Sequence, residues 1–207
     1  MSRISINLKS FTCYKDTSEW GSDEPYVLVF AASLKSPFPG VNIPIAQTVL
    51  YGPWGNVDSG DRGKTGQFFF GPGGSPIVPP QNFWGLDGKP KELSEDSDAI
   101  FLVGLMENDN GNPGGVRALM HAALFAALTS YANANMSRQD MIGKLLTDMR
   151  DALKSVIAIG IPNKDDLIGV GELVVDVKRQ RTRTEVDSMT LAGDGGRYQL
   201  FFETTLH

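Results

Sequence analysis

The chain has a single cysteine, Cys13, and only two histidines, His121 and His207, in 207 residues. One thiol excludes an intramolecular disulfide and a cysteine-rich zinc site, and two imidazoles leave a histidine-based metal centre short of ligands. Positive charge is scarce as well: 19 Lys and Arg stand against 24 Asp and Glu, for a net charge of -5. Without a general positive field to hold phosphate backbones, nucleic acid is not an expected partner. Long apolar runs are missing too. One long stretch free of formal charge, Ala118 to Ser137, is rich in alanine and interrupted by His121, Thr129, Ser130, Asn133 and Asn135. That composition predicts burial in protein rather than lipid. The N-terminal MSRISINLKSF shows no apolar core behind its basic residue, so a soluble chain with no cleaved secretory signal is expected.

What remains is the composition of an ordinary globular protein, 41% hydrophobic and 21% charged, in a length that suits one large domain with an insertion. Ile4, Ile6 and Leu8 alternate with Arg3, Ser5, Asn7 and Lys9, the period of a half-buried strand. After a polar turn at Lys15 to Asp23, the run from Tyr26 to Ala31 predicts a second strand. From Pro37 to Pro90 glycine and proline are dense, which predicts short strands at Ile43 to Tyr51, Gln67 to Phe70 and Phe83 to Leu86 among long loops. Ile100 to Met106 reads as another strand.

The period then changes. Val116, Leu119, Met120, Ala123, Leu124, Ala127, Leu128 and Tyr131 recur at three and four residues, with Asn112 and Pro113 placed to cap a helix over about 114 to 132. A second helix over about 137 to 158 starts at Ser137, with Met136 and Met141 forming a staple across the cap, and stops at Gly-Ile-Pro, 160 to 162. Alternation returns at Gly171 to Val177 and again at Tyr198, Leu200 and Phe202. Many short strands interrupted once by a helical hairpin predict a mainly β antiparallel sandwich, one domain over 1–207 with a hairpin inserted at 114–160.

Three loop segments concentrate oxygen ligands: DTSEWGSDE at 16–24, ENDN at 107–110 and NKDD at 163–166. Flexible acidic loops of this kind supply the roughly six to eight oxygens that calcium takes, although Asp and Asn also favour solvated turns for backbone reasons alone. Catalytic constellations are thin. His121 falls near the edge of an apolar helical stripe, where a structural histidine is expected, and Cys13 has no basic helper nearby. GPGG at 71–74 and GDGG at 193–196 lack the lysine and hydroxyl residue of a phosphate loop and read as turns. The one basic cluster, KRQRTR at 178–183, places Arg179, Arg181 and Arg183 on one strand face, exposed to solvent, anionic lipid or an acidic partner.

Five patches, in order along the chain, carry a resemblance to a known family. ISINLKSF at 4–11, GSDEPYV at 21–27, PQNFW at 80–84, FLVGLMEND at 101–109 and DDLIG at 165–169 resemble the strand and calcium-loop signatures of C2 domains. There are departures: Glu24 is an extra residue within the second motif, the proline of the third is out of order, and Glu107 stands where the family has aspartate. The largest is that the fourth and fifth motifs, which flank one short loop in C2 domains, are separated here by the helical segment. The resemblance implies a C2-like β-sandwich and metal ligands at Asp23, Glu107, Asp109 and Asp166, with Asp16 or Glu19 as the first-loop acid. It also implies a non-catalytic calcium-binding module that engages a membrane or protein partner through its acidic end loops. Trp20, in the first loop, would either touch lipid there or pack under the hairpin. The rival expectation is a metal-free structural or assembly protein that uses the hairpin as a subunit interface.

Overall fold

The computed structural model describes residues 2–18, 21–35, 44–64, 82–85, 89–109, 111–155, 165–176 and 183–207. In chain order the strands and helices are β1 (Ser2–Lys15), β2 (Pro25–Ser33), β3 (Ile45–Tyr51), β4 (Arg62–Lys64), β5 (Lys91–Leu93) and β6 (Ala99–Glu107). They continue with α1 (Pro113–Asn133), α2 (Arg138–Ser155), β7 (Asp166–Glu172), β8 (Thr184–Gly193) and β9 (Gly196–Leu206). Two antiparallel sheets form a sandwich. One runs β1-β9-β8, with β4 and β5 sharing the other edge of β1, so it is four strand positions wide; the second runs β3-β2-β6-β7.

The sheets are built as their residue patterns dictate. In β1 the apolar Ile4, Ile6 and Leu8 are fully buried, and in β9 Tyr198, Leu200 and Phe202 are buried opposite Cys13, Phe11 and Leu8. β8 and β9 are joined through Asp194 and Gly195, both at positive φ (48° and 80°), the two-residue hairpin geometry whose twist suits the flanking strands. β2 and β6 are buried along their entire lengths, so their sequences are continuous apolar runs in place of alternating ones. Their odd-numbered residues, Val27, Val29, Phe101, Val103 and Leu105, face the first sheet. Their even-numbered residues, Tyr26, Leu28, Phe30, Ile100, Leu102 and Met106, face the helices.

The helical pair does not project from the end of the sandwich. It folds back over the outer face of the second sheet, α1 against β3 and β2, α2 against β7 and β6. The result is three layers, with the second sheet in the middle and covered on both sides. Val116, Met120, Leu124 and Leu128 of α1 interlock with Met141, Leu145, Met149 and Leu153 of α2 over that sheet. Gly104 of β6 marks the closest approach, since a Cβ there would lie 2.8 Å from Met149 Cε. Both expected caps are present: Asn112 Oδ1 accepts from Gly115 N at 3.0 Å, and Ser137 Oγ accepts from Asp140 N at 3.2 Å.

Two strand readings need adjustment. The strand placed at Gly171 to Val177 begins earlier, at Asp166, and ends at Glu172. Gly169 and Gly171 weaken the apolar alternation there because they let β7 close on β8, where a Cβ would come within 3.3 Å of Leu191 and 2.6 Å of Met189. β8 carries no apolar stripe, being mostly exposed or half-buried, and had no sequence signal. Gln67 to Phe70, Trp20 and the basic cluster up to Thr182 lie outside the described residues, whereas Phe83 and Trp84 are buried and hydrogen-bond to Ile6. No described helix is long and apolar enough to cross a membrane.

Candidate functional site

The insertion leaves the second sheet at Glu107 and returns at Asp166, and these two residues are register partners across β6 and β7. Pro25 pairs with Glu107 on its other side. One end of the sheet therefore gathers Glu24, Glu107, Asp109, Asp165 and Asp166. Glu107 is buried, and its Oε1 accepts from Glu24 N at 3.1 Å. Asn108 Nδ2 in turn donates to Glu24 Oε2 at 3.0 Å.

Asp165, rather than Asp166, is the buried member of the aspartate pair. It is 7% exposed, and Tyr26 donates its hydroxyl to Oδ2 at 2.7 Å. Burial pushes its carboxyl above the ordinary aspartate range, with the charge of Asp109 adding to the rise. The Tyr26 bond and the backbone N–H groups of Asp109 and Gly111 pull the other way, although Oδ1 has no partner at full hydrogen-bond geometry. Tyr26 is pushed well above the usual phenol range by burial, by its bond to Asp165 and by the charges of Asp165 and Glu107. Asp109 and Asp166 are half-buried.

The first-loop acids are engaged elsewhere. Asp23 is 3% exposed on the inter-sheet side, where Thr17 donates its backbone N–H at 3.1 Å and its hydroxyl at 2.8 Å, and Tyr198 donates its hydroxyl to Oδ2. Asp16 accepts the hydroxyl of Ser59, which accepts from Asp16 N at 3.1 Å. Glu19 lies outside the described residues. For calcium the donor chemistry is right, but the geometry is partial. Third-loop acids meet at one end while Asp23 spends its oxygens on Thr17 and Tyr198. Among the described residues no group of three or more acids, histidines or cysteines is arranged to hold a metal. Sequence reasoning missed Thr17, Tyr26 and Tyr198 as partners of these carboxylates and did not single out Asp165, the buried member of the pair at 165–166. The DD pair itself was the available signal.

A second surface lies on α1. Its inner stripe is used against the sheet, yet its outer side is not the charged face of an ordinary surface helix. Ala118, Leu119, Ala122, Ala123, Phe125 and Ala126 are exposed, Leu119 at 44% and Phe125 at 37%. No residue from Ala118 to Ser137 carries a formal charge. The neighbouring α2 provides the contrast within the same hairpin: its exposed positions include Asp140, Lys144, Arg150, Asp151 and Lys154. At the inner margin of the α1 face, His121 Nδ1 lies 3.0 Å from Thr48 Oγ1 and its ring stacks on Phe125. Burial, aided by the charge of Arg117, lowers the His121 pKa below the usual imidazole value, so the ring is neutral at pH 7.

The Cys13 thiol is buried and pushed upward, first by burial and then by the nearby charges of Asp23 and Asp16, against an opposing bond from Tyr198. Two antiparallel sheets packed as a sandwich, the coarse architecture that the C2 resemblance implies, are what the chain adopts, with the helical pair expected from periodicity inserted between β6 and β7. No protein-family model and no curated protein matches the chain.

Proposed function

We propose that this chain is a non-catalytic assembly protein whose helical hairpin serves as a subunit interface through the outer face of α1. The observation that carries the reading is the uncharged apolar face just described, on a helix whose opposite stripe is already satisfied by its own sheet. A helix that is apolar on all sides is ordinarily covered on all sides. The three-layer build suits the role, because a helix clamped on a sheet whose central strands are buried throughout presents its outer face rigidly and at little cost in ordering on binding.

A photoreactive residue at Leu119 tests this in the cell that makes the protein. Discrete adducts of defined mass are expected from Leu119 and none from a matched probe at Asp151 on α2. Adducts absent at Leu119, or equally abundant at Asp151, would contradict the reading.

The second reading is the calcium module, with the ion neutralising the end loops so that a membrane or partner protein meets a less negative surface. What supports it is the pairing of Glu107 with Asp166 across β6 and β7 and the charge of Asp109 acting on the buried Asp165 carboxyl. On this reading calcium raises the melting temperature, and an Asp109→Asn, Asp166→Asn double variant loses most of the gain. A melting curve unmoved by millimolar calcium would remove it.

A further inference from the structure

We infer that the occupant of the α1 face is a second copy of the same chain, packed antiparallel about a two-fold axis at Ala122. The inference rests on the reading of α1 as an interface and adds the identity and register of the partner. Four observations support it. First, the exposed residues form a pattern that maps onto itself: Leu119 and Phe125 each lie three residues from Ala122, and Ala118 and Ala126 each lie four. A two-fold axis at Ala122 brings Leu119 of one copy level with Phe125 of the other, and Ala118 level with Ala126, on both sides at once. This self-complementarity is what an isologous contact requires.

Second, the large and small residues are ordered for close approach. The alanines at 118, 122 and 126 follow one ridge of the helix, and the two bulky side chains flank it diagonally, so each copy's Leu119 and Phe125 pack beside the other's alanines. Third, charge favours this face above others. Two chains of net charge -5 repel each other, and α1 is a surface on which they meet without bringing like charges together. The antiparallel arrangement also sets the helix dipoles in opposition, with favourable sign. A lipid surface fits less well, because the face itself carries no basic residue between Ala118 and Ser137, its basic neighbours being Arg117 at its start and Lys144 over the Tyr131 ring.

Fourth, the area sets the strength. From Ala118 to Ala126, the span symmetric about Ala122, the exposed side is about 14 Å long and about 10 Å wide. That is short of the roughly 800 Å² per partner of a standard interface, so the dimer is weak and concentration-dependent rather than obligate.

Sedimentation equilibrium of the purified chain, followed across protein concentration, tests the proposal. The expected result is reversible dimerisation that Leu119→Lys or Phe125→Glu weakens at least about tenfold. Combining the two changes restores it, because the introduced cation of each copy then lies beside the introduced carboxylate of the other. Ala122→Cys should cross-link to itself under mild oxidation, whereas Thr147→Cys on the exposed side of α2 should not. The native Cys13 is buried and gives little background. Retained melting temperatures in these exposed-site variants separate loss of contact from loss of fold.

A chain that stays monomeric at about 1 mM would overturn the inference, as would co-sedimentation with anionic vesicles in place of dimerisation, or dimerisation indifferent to the Leu119 and Phe125 changes. A monomer whose Leu119 probe still forms adducts of another mass in the cell refutes the second copy alone and leaves α1 as an interface.

Discussion

Asp23 and Asp165 lie on opposite faces of the same sheet and are held in opposite ways. Asp23 receives two donors from Thr17 and a third from Tyr198, which ties the first loop and β9 to the entry of β2. Asp165 has one short bond from Tyr26 and a raised pKa, so its ionised form is a burden on the folded state. The sign of the pH dependence follows. Because the folded-state pKa is the higher one, the folded chain takes up this proton first, and Asp165 contributes increasing stability as pH falls from neutral through its raised value. The gain stops at the unfolded-state value of roughly 3.9. In Asp165→Asn, thermal melts between neutral pH and about pH 4 should lack this component, giving a curve that falls more steeply with acid than the native one; superimposable curves would contradict the environment described. None of these hydroxyl partners was legible from the sequence. The acids stand out by type and by their place in loops, but Tyr198 and Tyr26 reach them only through the register of β1 with β9 and β2 with β6.

Helices and strands were legible where a residue pattern has one cause and obscure where two compete. The α1 inner stripe follows a helical period because one face meets the sheet, and β2 and β6 are continuously apolar because both faces are covered. β7 was misplaced because its glycines serve the contact with β8 in place of apolar alternation, and β8 was missed because it buries almost nothing. The outer side of α1 shows in the sequence as a charge-free stretch expected to be buried; within it Met120, Leu124, Leu128 and Ala132 are buried, whereas most of the remaining positions are exposed. The two sets respond differently to substitution. Leu124 is fully buried between the helices and the sheet, and Leu124→Asp places an unpaired charge there, so a loss of about 3–5 kcal/mol in denaturant unfolding is expected. Leu119→Lys, five residues earlier on the exposed side, should fall within about 0.5 kcal/mol of the native chain. Equal losses would mean that the helix is rotated from the position described.

For the molecule as a whole, the two candidate surfaces are distinct in place and in chemistry. The end of the sandwich is acidic and hydrogen-bonded; the outer side of α1 is apolar and uncharged. A net charge of -5 keeps acidic surfaces apart, so contact with another macromolecule through the end loops needs a cation, whereas contact through α1 needs none. Covalent footprinting separates them, with side-chain labelling of the chain in its assembled state compared with the isolated, dilute chain. The account predicts protection of Leu119 and Phe125 on assembly, with labelling of Glu24, Asp109 and Asp166 unchanged. Protection of those three acids with Leu119 and Phe125 still fully labelled would contradict it and move the binding surface to the end of the sandwich.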